Sequence, residues 1–455
     1  MKKVSARAFF ALLLAGILLV GTIGFVISYF MNAGKWVTFS GSPHVYTGTN
    51  LNSGIVTDRD GTLLLDSTDG RVYSDNAATR TSTMHLLGDR YGYVYAPLLG
   101  HFADRMIGYD VVNGLYKLHE ETATAQLTIS ADVQNAALQA LAGRKGTVGV
   151  YNYQTGEILC AVSSPSYDPD NVPDIENDTT GAYNGVYVNR FFDAVYTPGS
   201  IYKLLTTEAA LETVDDITSQ TFTCEGKTII GGQSIICEGV HGTIDLQSGL
   251  AYSCNCVFGS VAVQVGAKTL QKYAEKAGLT GQLECDGNKS AAGKLNLTDA
   301  GDGDVAWAGI GQYTDQVTAY AFLRFMGILG GGGEAAEPYL MAAVTSGGHT
   351  TYAARTRSTG RIFEAEAVQT LKQMMRNNVT SVYGAWQFPD VAVCAKSGTA
   401  EVEGAQPNAM FAGFVADENY PLAFVVFIEN AGHGSAVAAP VAGEVLRACI
   451  AEMQK

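Results

Sequence analysis

Positive charge is scarce in this sequence: 29 Lys and Arg stand against 44 Asp and Glu in 455 residues, a formal net charge of −15. Nucleic-acid binding needs a basic face to meet phosphates, and no basic run supplies one, so that class of partner is excluded. Internal repeats and long low-complexity tracts are missing, while 47% of the residues are hydrophobic. Disorder is thereby excluded, and the chain is long enough for more than one folded unit around a large core. Metal motifs are missing as well. There is no C-x-x-C pair, no H-E-x-x-H and no EF-hand pattern, and the seven histidines are scattered without ligand spacing, so neither a metal site nor a cofactor is predicted. Gly301-Asp302-Gly303-Asp304-Val305-Ala306 matches a dinucleotide-binding fingerprint in outline only, because no strand, helix and ribose-binding acid surround it.

What is present begins at the N-terminus. Lys2, Lys3 and Arg7 precede an uncharged stretch of 23 residues, Ala8 to Phe30, long enough to cross a hydrocarbon core of about 30 Å as a helix. A cleaved signal peptide would have a shorter apolar region of roughly 7 to 15 residues ending at small residues, so the length favours an uncleaved anchor. Three cations before the stretch and one, Lys35, after it favour a cytoplasmic N-terminus and an external body. With those four cations taken from the total of −15, the body carries −19. Outside the cell its eight cysteines are permitted to form disulfides. Cys224 and Cys237 flank a turn, Gly231-Gly232, that could bring them together as a pair.

Beyond the anchor, Asp58-Arg59-Asp60-Gly61 lies between apolar runs and reads locally as a hairpin turn. From about Leu127 the pattern becomes regular. Ser130 is placed to cap a helix through Leu141, with Val133, Ala137, Leu138 and Leu141 on one side. Thr147 to Asn152 and Glu157 to Ser163, joined by Tyr153-Gln154-Thr155-Gly156, read as a hairpin. Residues 195 to 380 are mostly helical by pattern, including a helix from Val317 to Leu329 that stops at Gly330 to Gly333. Strands are expected at Val391 to Val402, Ala409 to Val415 and Leu422 to Glu429, followed by a helix from about Ala438 to Met453. The order predicts an α+β fold: an antiparallel sheet covered by helices, plus a mostly helical subdomain.

Three short motifs occur in order: Ser200-Ile201-Tyr202-Lys203, Ser253-Cys254-Asn255 and Lys396-Ser397-Gly398-Thr399. A lone Ser-x-x-Lys arises on the order of once or twice by chance in a chain this long. Context is what raises each motif above chance. Pro198 and Gly199 stand before Ser200 and an apolar run follows, so Ser200 falls in the first turn of a helix, with Lys203 on the same face. A buried lysine beside a second cation loses proton affinity and becomes a candidate general base. Ser253 and Asn255, alternate residues in a turn, offer a hydroxyl for proton relay and an amide for a substrate carbonyl. Lys396 to Thr399 end a strand-like run, where a strand beside a cleft can receive an extended peptide. Gly398 would allow close backbone approach, and Lys396, Ser397 and Thr399 would supply a cation and two hydroxyls for a terminal carboxylate. Cys254 and Cys256, without an activating motif, read as small buried cysteines on a packed turn.

These motifs, in this order and spacing, resemble the active site of penicillin-binding proteins and serine β-lactamases. Val148-Gly149-Val150-Tyr151, Thr155-Gly156-Glu157-Ile158-Leu159 and Ser163 to Pro169 are similar to the start of class B transpeptidase domains. Gly309-Ile310-Gly311-Gln312, Val317-Thr318, Glu429-Asn430 and Ala438-Ala439-Pro440 are similar to further stretches of that family, and Asp58 to Gly61 to its membrane-proximal segment. Ser397 stands where many relatives have threonine, and Asn408 to Gly413 lacks a common tryptophan.

The short penicillin-binding protein A type is the group resembled. The resemblance implies a cytoplasmic tail (1–7), a transmembrane helix (8–30), a small pre-domain (31–126) and a penicillin-binding transpeptidase domain (127–455). Roughly 95 residues between anchor and domain are too few for a glycosyltransferase domain, which argues against a bifunctional enzyme. It further implies a bacterial membrane enzyme that cross-links peptidoglycan stem peptides, binds β-lactams and works beside a membrane glycan polymerase. Ser200 would be the nucleophile, with Lys203, Ser253, Asn255 and Lys396 in catalysis and Ser397, Gly398 and Thr399 binding substrate. Backbone N–H groups of Ser200 and Thr399 would form the oxyanion hole. A D,D-carboxypeptidase, a β-lactamase and a non-catalytic scaffold or β-lactam sensor remain alternatives on sequence.

Overall fold

In the computed structural model, which describes residues 2–39, 41–42, 45–107, 122–402 and 404–455, Lys2–Val37 forms one helix of 36 residues. At 1.5 Å per residue that is about 54 Å, longer than a hydrocarbon core. The body of the protein covers none of its apolar span, which fits a single-pass anchor.

The centre of the body is a five-stranded antiparallel sheet in the order Val393–Ala400, Asn408–Val415, Leu422–Ile428, Gly146–Asn152 and Ile158–Ser164. The last three strands are buried at every position. Helices cover both faces, which is why these strands read as unbroken apolar runs and not as an alternation. Ala131–Leu141 and Gly434–Met453 pack on one face through Val133, Ala137, Leu141, Val441, Val445 and Cys449. Ala319–Gly330 packs on the other, joining Phe322 and Phe325 to the larger helical core. The expected Ser130 cap is present, its Oγ accepting the Val133 N–H at 3.3 Å. Ala319–Gly330 starts two residues after Val317 and is capped by Thr318, whose Oγ1 accepts the Ala321 N–H at 3.2 Å. The C-terminal helix begins four residues before Ala438 and carries Pro440 inside it.

A second sheet joins chain segments far apart in sequence. Its six strands run His349–Ala353, Met341–Ser346, Thr124–Leu127, Ile55–Thr57, Leu63–Asp66 and Val72–Tyr73. The Asp58 turn is a hairpin as expected, with Asp58 Oδ1 accepting from Asp60 N at 3.0 Å and Thr62 N at 2.8 Å. Its other oxygen accepts the Ala131 N–H at 3.0 Å, so one buried carboxylate closes the turn and satisfies a free donor of the next helix. Helix Ala77–Leu87 is tied on by Ser82 Oγ to Asn135 Oδ1 at 2.7 Å and by a bidentate Arg80–Asp168 pair, 2.6 Å on both arms. Arg80 holds the Asp168 carboxyl down at about 2.

The stretch 221–245, expected as part of a helical region, instead forms nested hairpins. Thr221–Cys224 pairs with Gly242–Asp245, and between them Lys227–Ile230 pairs with Gln233–Ile236. Gly231 and Gly232 sit at φ 54° and 80°, the positive pair that a tight two-residue hairpin turn demands. Its strands are half exposed and short, which hides them from a search for buried runs.

Candidate active site

The three motifs meet where the helical part touches the edge strand of the central sheet. Ser200 lies in a 3₁₀ turn, Gly199–Tyr202, that feeds the helix Lys203–Thr213. The turn is tighter than the expected α-helical start because Gly199, at φ 55°, presses against the edge strand: a Cβ there would stand 2.6 Å from Thr399 O. At Gly398 the close approach is made by this same turn, since a Cβ would meet Ile201 Cγ2 at 2.9 Å and Pro198 O at 3.1 Å.

Lys203 is fully buried, and its Nζ is 3.0 Å from Ser200 Oγ. It also lies 2.6 Å from Ser253 O, 2.7 Å from Asn255 Oδ1 and 3.2 Å from Ser253 Oγ. A carbonyl and an amide oxygen only accept, so the two shortest contacts consume two N–H bonds. A neutral amine then has its lone pair left for the Ser200 hydroxyl, and an ammonium would have a third N–H there. Burial, and next the Lys396 cation, push Lys203 down to about 7, so both forms exist near neutral pH.

Ser253 and Asn255 do not both sit in a turn. Ser253 takes a left-handed conformation at φ 56°, while Asn255 is the first residue of the helix Asn255–Val265. Ser253 Oγ stands between two buried amines, 3.2 Å from Lys203 Nζ and 3.0 Å from Lys396 Nζ. Lys396 lies inside the strand Val393–Ala400, not at its end; its Nζ also donates to Ser397 O at 2.8 Å, and burial pushes it down to about 7. The hydroxyl can therefore carry a proton between the lysines.

Val393–Ala400 is an edge strand, paired among the described residues only with Asn408–Val415, so alternate backbone groups face outward toward the motifs. The Ser397 N–H points that way, donating to Tyr383 Oη at 3.0 Å. Thr399, two residues on, presents its N–H on the same side, next to Ser200. Tyr383 Oη also lies 3.1 Å from Ser397 Oγ, and Gln312 Nε2 donates to Thr399 O at 3.4 Å. Tyr383 was invisible to motif reading because it arrives from a π-helical turn, Val379–Tyr383, with no sequence signature. Gln312 stood in a quoted stretch but without a role.

The expected Cys224–Cys237 disulfide is not formed: both are free thiols. They gather instead with His241 and Cys254, donor atoms all within 4.8 Å. Chain segments separated by the hairpins supply them, so sequence spacing gave no sign of the cluster.

Residues 146–447 match the family described as the penicillin binding protein transpeptidase domain. The peptidoglycan D,D-transpeptidase PbpA of Mycolicibacterium smegmatis is 26% identical over 363 residues, covering 71% of this chain and 72% of its own. That of Mycobacterium tuberculosis is 25% identical over 394 residues, with 78% of each chain covered. Among solved structures, a ceftriaxone acyl-enzyme complex of M. tuberculosis penicillin-binding protein A superposes with TM-score 0.76 at 24% identity, covering 88% of this chain and 98% of that one. The D,D-transpeptidase domain of an Eggerthella lenta peptidoglycan glycosyltransferase gives 0.76 at 23% identity, with the same coverage of 88% and 98%. The match to the family spans well over half of the sequence, and the chain belongs to the penicillin-binding transpeptidases, as a class B member.

Proposed function

We propose that this protein is a peptidoglycan D,D-transpeptidase that works through an acyl-enzyme on Ser200. The observation that carries the reading is the environment of Lys203 Nζ: two obligate acceptors fix its N–H bonds and leave the third position 3.0 Å from Ser200 Oγ. As the neutral amine, Lys203 takes the Ser200 proton while Oγ bonds to the carbonyl carbon of the penultimate D-Ala. Outward N–H groups of Ser200 and Thr399 stabilise the oxyanion, a contribution of about 3 to 4 kcal/mol per donor where it has been dissected. The C–N bond then breaks, and the proton passes from Lys203 through Ser253 Oγ to the departing D-Ala amine. An amine of a neighbouring stem peptide attacks the ester and loses its proton along the reverse route, restoring Ser200. Lys396, Ser397 and Thr399 hold the terminal carboxylate in this scheme, and Gly398 keeps the edge strand close to the nucleophile.

Relatives named D,D-transpeptidases and the acyl-enzyme complexes of a structural neighbour support this assignment. A further neighbour, from work on coordinated polymerization and crosslinking by a peptidoglycan synthase complex, has TM-score 0.62 at 25% identity. This chain covers 63% of it. It supports a glycan polymerase as partner. The cations Lys2, Lys3 and Arg7 ahead of the apolar stretch support a cytoplasmic N-terminus, with the anchor at 8–30, a pre-domain to 126 and the catalytic domain outside. The test is mass spectrometry of the purified chain with labelled penicillin, followed by a cross-linking assay on lipid-linked polymer. A stable adduct on the Ser200 peptide, absent in Ser200→Ala, and cross-links exceeding released D-Ala are expected. Rapid penicillin turnover without an adduct, or D-Ala release without cross-links, would overturn the reading.

A further inference from the structure

Four metal-ligating side chains converge beside the active site without taking part in acyl transfer. Cys224 ends the strand Thr221–Cys224, Cys237 follows Gln233–Ile236, His241 precedes Gly242–Asp245, and Cys254 caps the helix Asn255–Val265. Cys224 and Cys254 are fully buried and Cys237 is 9% exposed. His241 Nδ1 stands 3.5 Å from Cys224 Sγ and 3.6 Å from Cys237 Sγ, and Cys237 Sγ stands 3.8 Å from Cys254 Sγ. A tetrahedral zinc ion with Zn–S near 2.3 Å and Zn–N near 2.0 to 2.1 Å sets S···S edges of about 3.8 Å and S···N edges of about 3.5 Å. Those three edges match such a polyhedron, and all four donor atoms lie within 4.8 Å of one another. A disulfide needs an S–S separation of about 2.0 Å, and any one pairing among three thiols would leave the third beside the imidazole. Zinc satisfies all four donors at once.

We propose that Cys224, Cys237, His241 and Cys254 bind one Zn²⁺ ion, which fixes the position of Ser253 and Asn255. Three thiolates and one imidazole are a soft donor set suited to zinc, and four protein ligands close the coordination sphere, so the site is structural and not catalytic. Its consequence for the active site follows from the chain path. Cys254 lies between Ser253, held at φ 56°, and Asn255, so a metal bond to Cys254 restrains both neighbours. Two further contacts tie the hairpins to the same residue: Asn255 N donates to Cys237 Sγ at 3.4 Å, and Asn255 Nδ2 to Ile236 O at 2.8 Å. His241 stacks on Tyr252 at 5.6 Å between centroids and 3° between planes, fixing the ring that would present Nδ1. The metal would thus position the oxygens that orient Lys203 Nζ, as the surroundings of a metal centre and its ligands orient one another.

The experiment uses the full chain purified in detergent, so that metal binding is read apart from transpeptidation. Elemental analysis should give about one zinc per chain, and Co²⁺ exchange should give the visible bands of a tetrahedral thiolate-rich site. His241→Ala and Cys254→Ser should lose the metal, His241→Cys should retain it as a four-cysteine site, and Cys256→Ala, adjacent but outside the set, should behave as the parent. Acylation by labelled penicillin should fall about ten- to a hundredfold in the metal-free chain, the scale on which contacts around a metal centre act. His241→Cys keeps the proposal falsifiable if the other variants fail to fold. A chain without zinc whose intact mass shows a disulfide among these cysteines would overturn it. So would zinc retained in His241→Ala, or a metal-free chain that acylates at the parent rate.

Discussion

Lys396→Met should move the acid limb of the acylation pH profile upward, and its size follows from two distances. Lys203 and Lys396 each approach Ser253 Oγ, at 3.2 and 3.0 Å, so their nitrogens are at most 6.2 Å apart. At an effective dielectric constant of about 20, two unit charges at that separation repel by about 2.7 kcal/mol, or about two pKa units. The repulsion favours loss of a proton from Lys203, which burial and Lys396 together bring to about 7. The pair shares its protons, and acylation needs the state in which Lys203 is neutral and Lys396 charged. Removing Lys396 removes the repulsion, so Lys203 keeps its proton to higher pH and the rate at neutral pH falls. Second-order acylation rates with a fluorescent penicillin, measured from about pH 5.5 to 10, should show the limb rising from about 7 to between 8 and 9. Loss of the cation that the proposed scheme places on the substrate carboxylate lowers the whole profile without moving its inflection, so the two effects separate. A limb that stays in place or moves down would refute Lys203 as the base whose affinity Lys396 sets.

Tyr383→Phe leaves the Ser397 N–H and Oγ without the hydroxyl now at 3.0 and 3.1 Å. The loss should be about 1 to 3 kcal/mol in urea denaturation, with weaker substrate binding on the edge strand; unchanged stability and KM would contradict the role assigned to it. Gly327→Ala would put a Cβ 1.6 Å from the Oη of the fully buried Tyr151. Destabilisation of about 3 kcal/mol is expected from overpacking, and a loss below about 1 kcal/mol would show that the helix Ala319–Gly330 can shift away from the sheet. His85 is buried with Nε2 2.7 Å from Val186 O, which requires the proton on Nε2, and burial holds its pKa down to about 4 against 6.5. The unfolded chain takes the proton first, so stability present above pH 6.5 is lost as pH falls from 6.5 to 4, by about 3 kcal/mol. His85→Gln, which can still donate to Val186 O, should flatten the melting temperature over that range, and parallel losses in both proteins would refute the assignment.

What the sequence could disclose, and what it could not, divides along a physical line. Ser130 and the Tyr153 to Gly156 link announce their elements because caps and turns act over three or four residues. The motif residues were legible for a similar reason: Ser200 and Lys203 are one helical turn apart, and Ser253 and Asn255 flank one residue. Tyr383, by contrast, meets Ser397 only because a π-helical turn carries it there. The four residues of the cysteine–histidine cluster fall outside every short metal motif, since the nested hairpins and not the local chain bring them together.

Asp58 shows how a local reading can be right and still incomplete. Its Asp-Gly turn was expected, and Oδ1 closes it at 3.0 and 2.8 Å. The second oxygen, at 3.0 Å from Ala131 N, links this turn to the N-terminus of the helix Ala131–Leu141. Arg80 on Asp168 and Ser82 on Asn135 repeat that linkage, and Ile55–Thr57 lies parallel to Thr124–Leu127 in the same sheet. A parallel pair cannot be made by a hairpin; it needs intervening chain, here the helical segments between residues 77 and 106. The residues after the N-terminal helix are therefore built into a sheet that also holds Met341–Ser346 and His349–Ala353 of the matched transpeptidase region, through a chain crossing that no window of sequence contains.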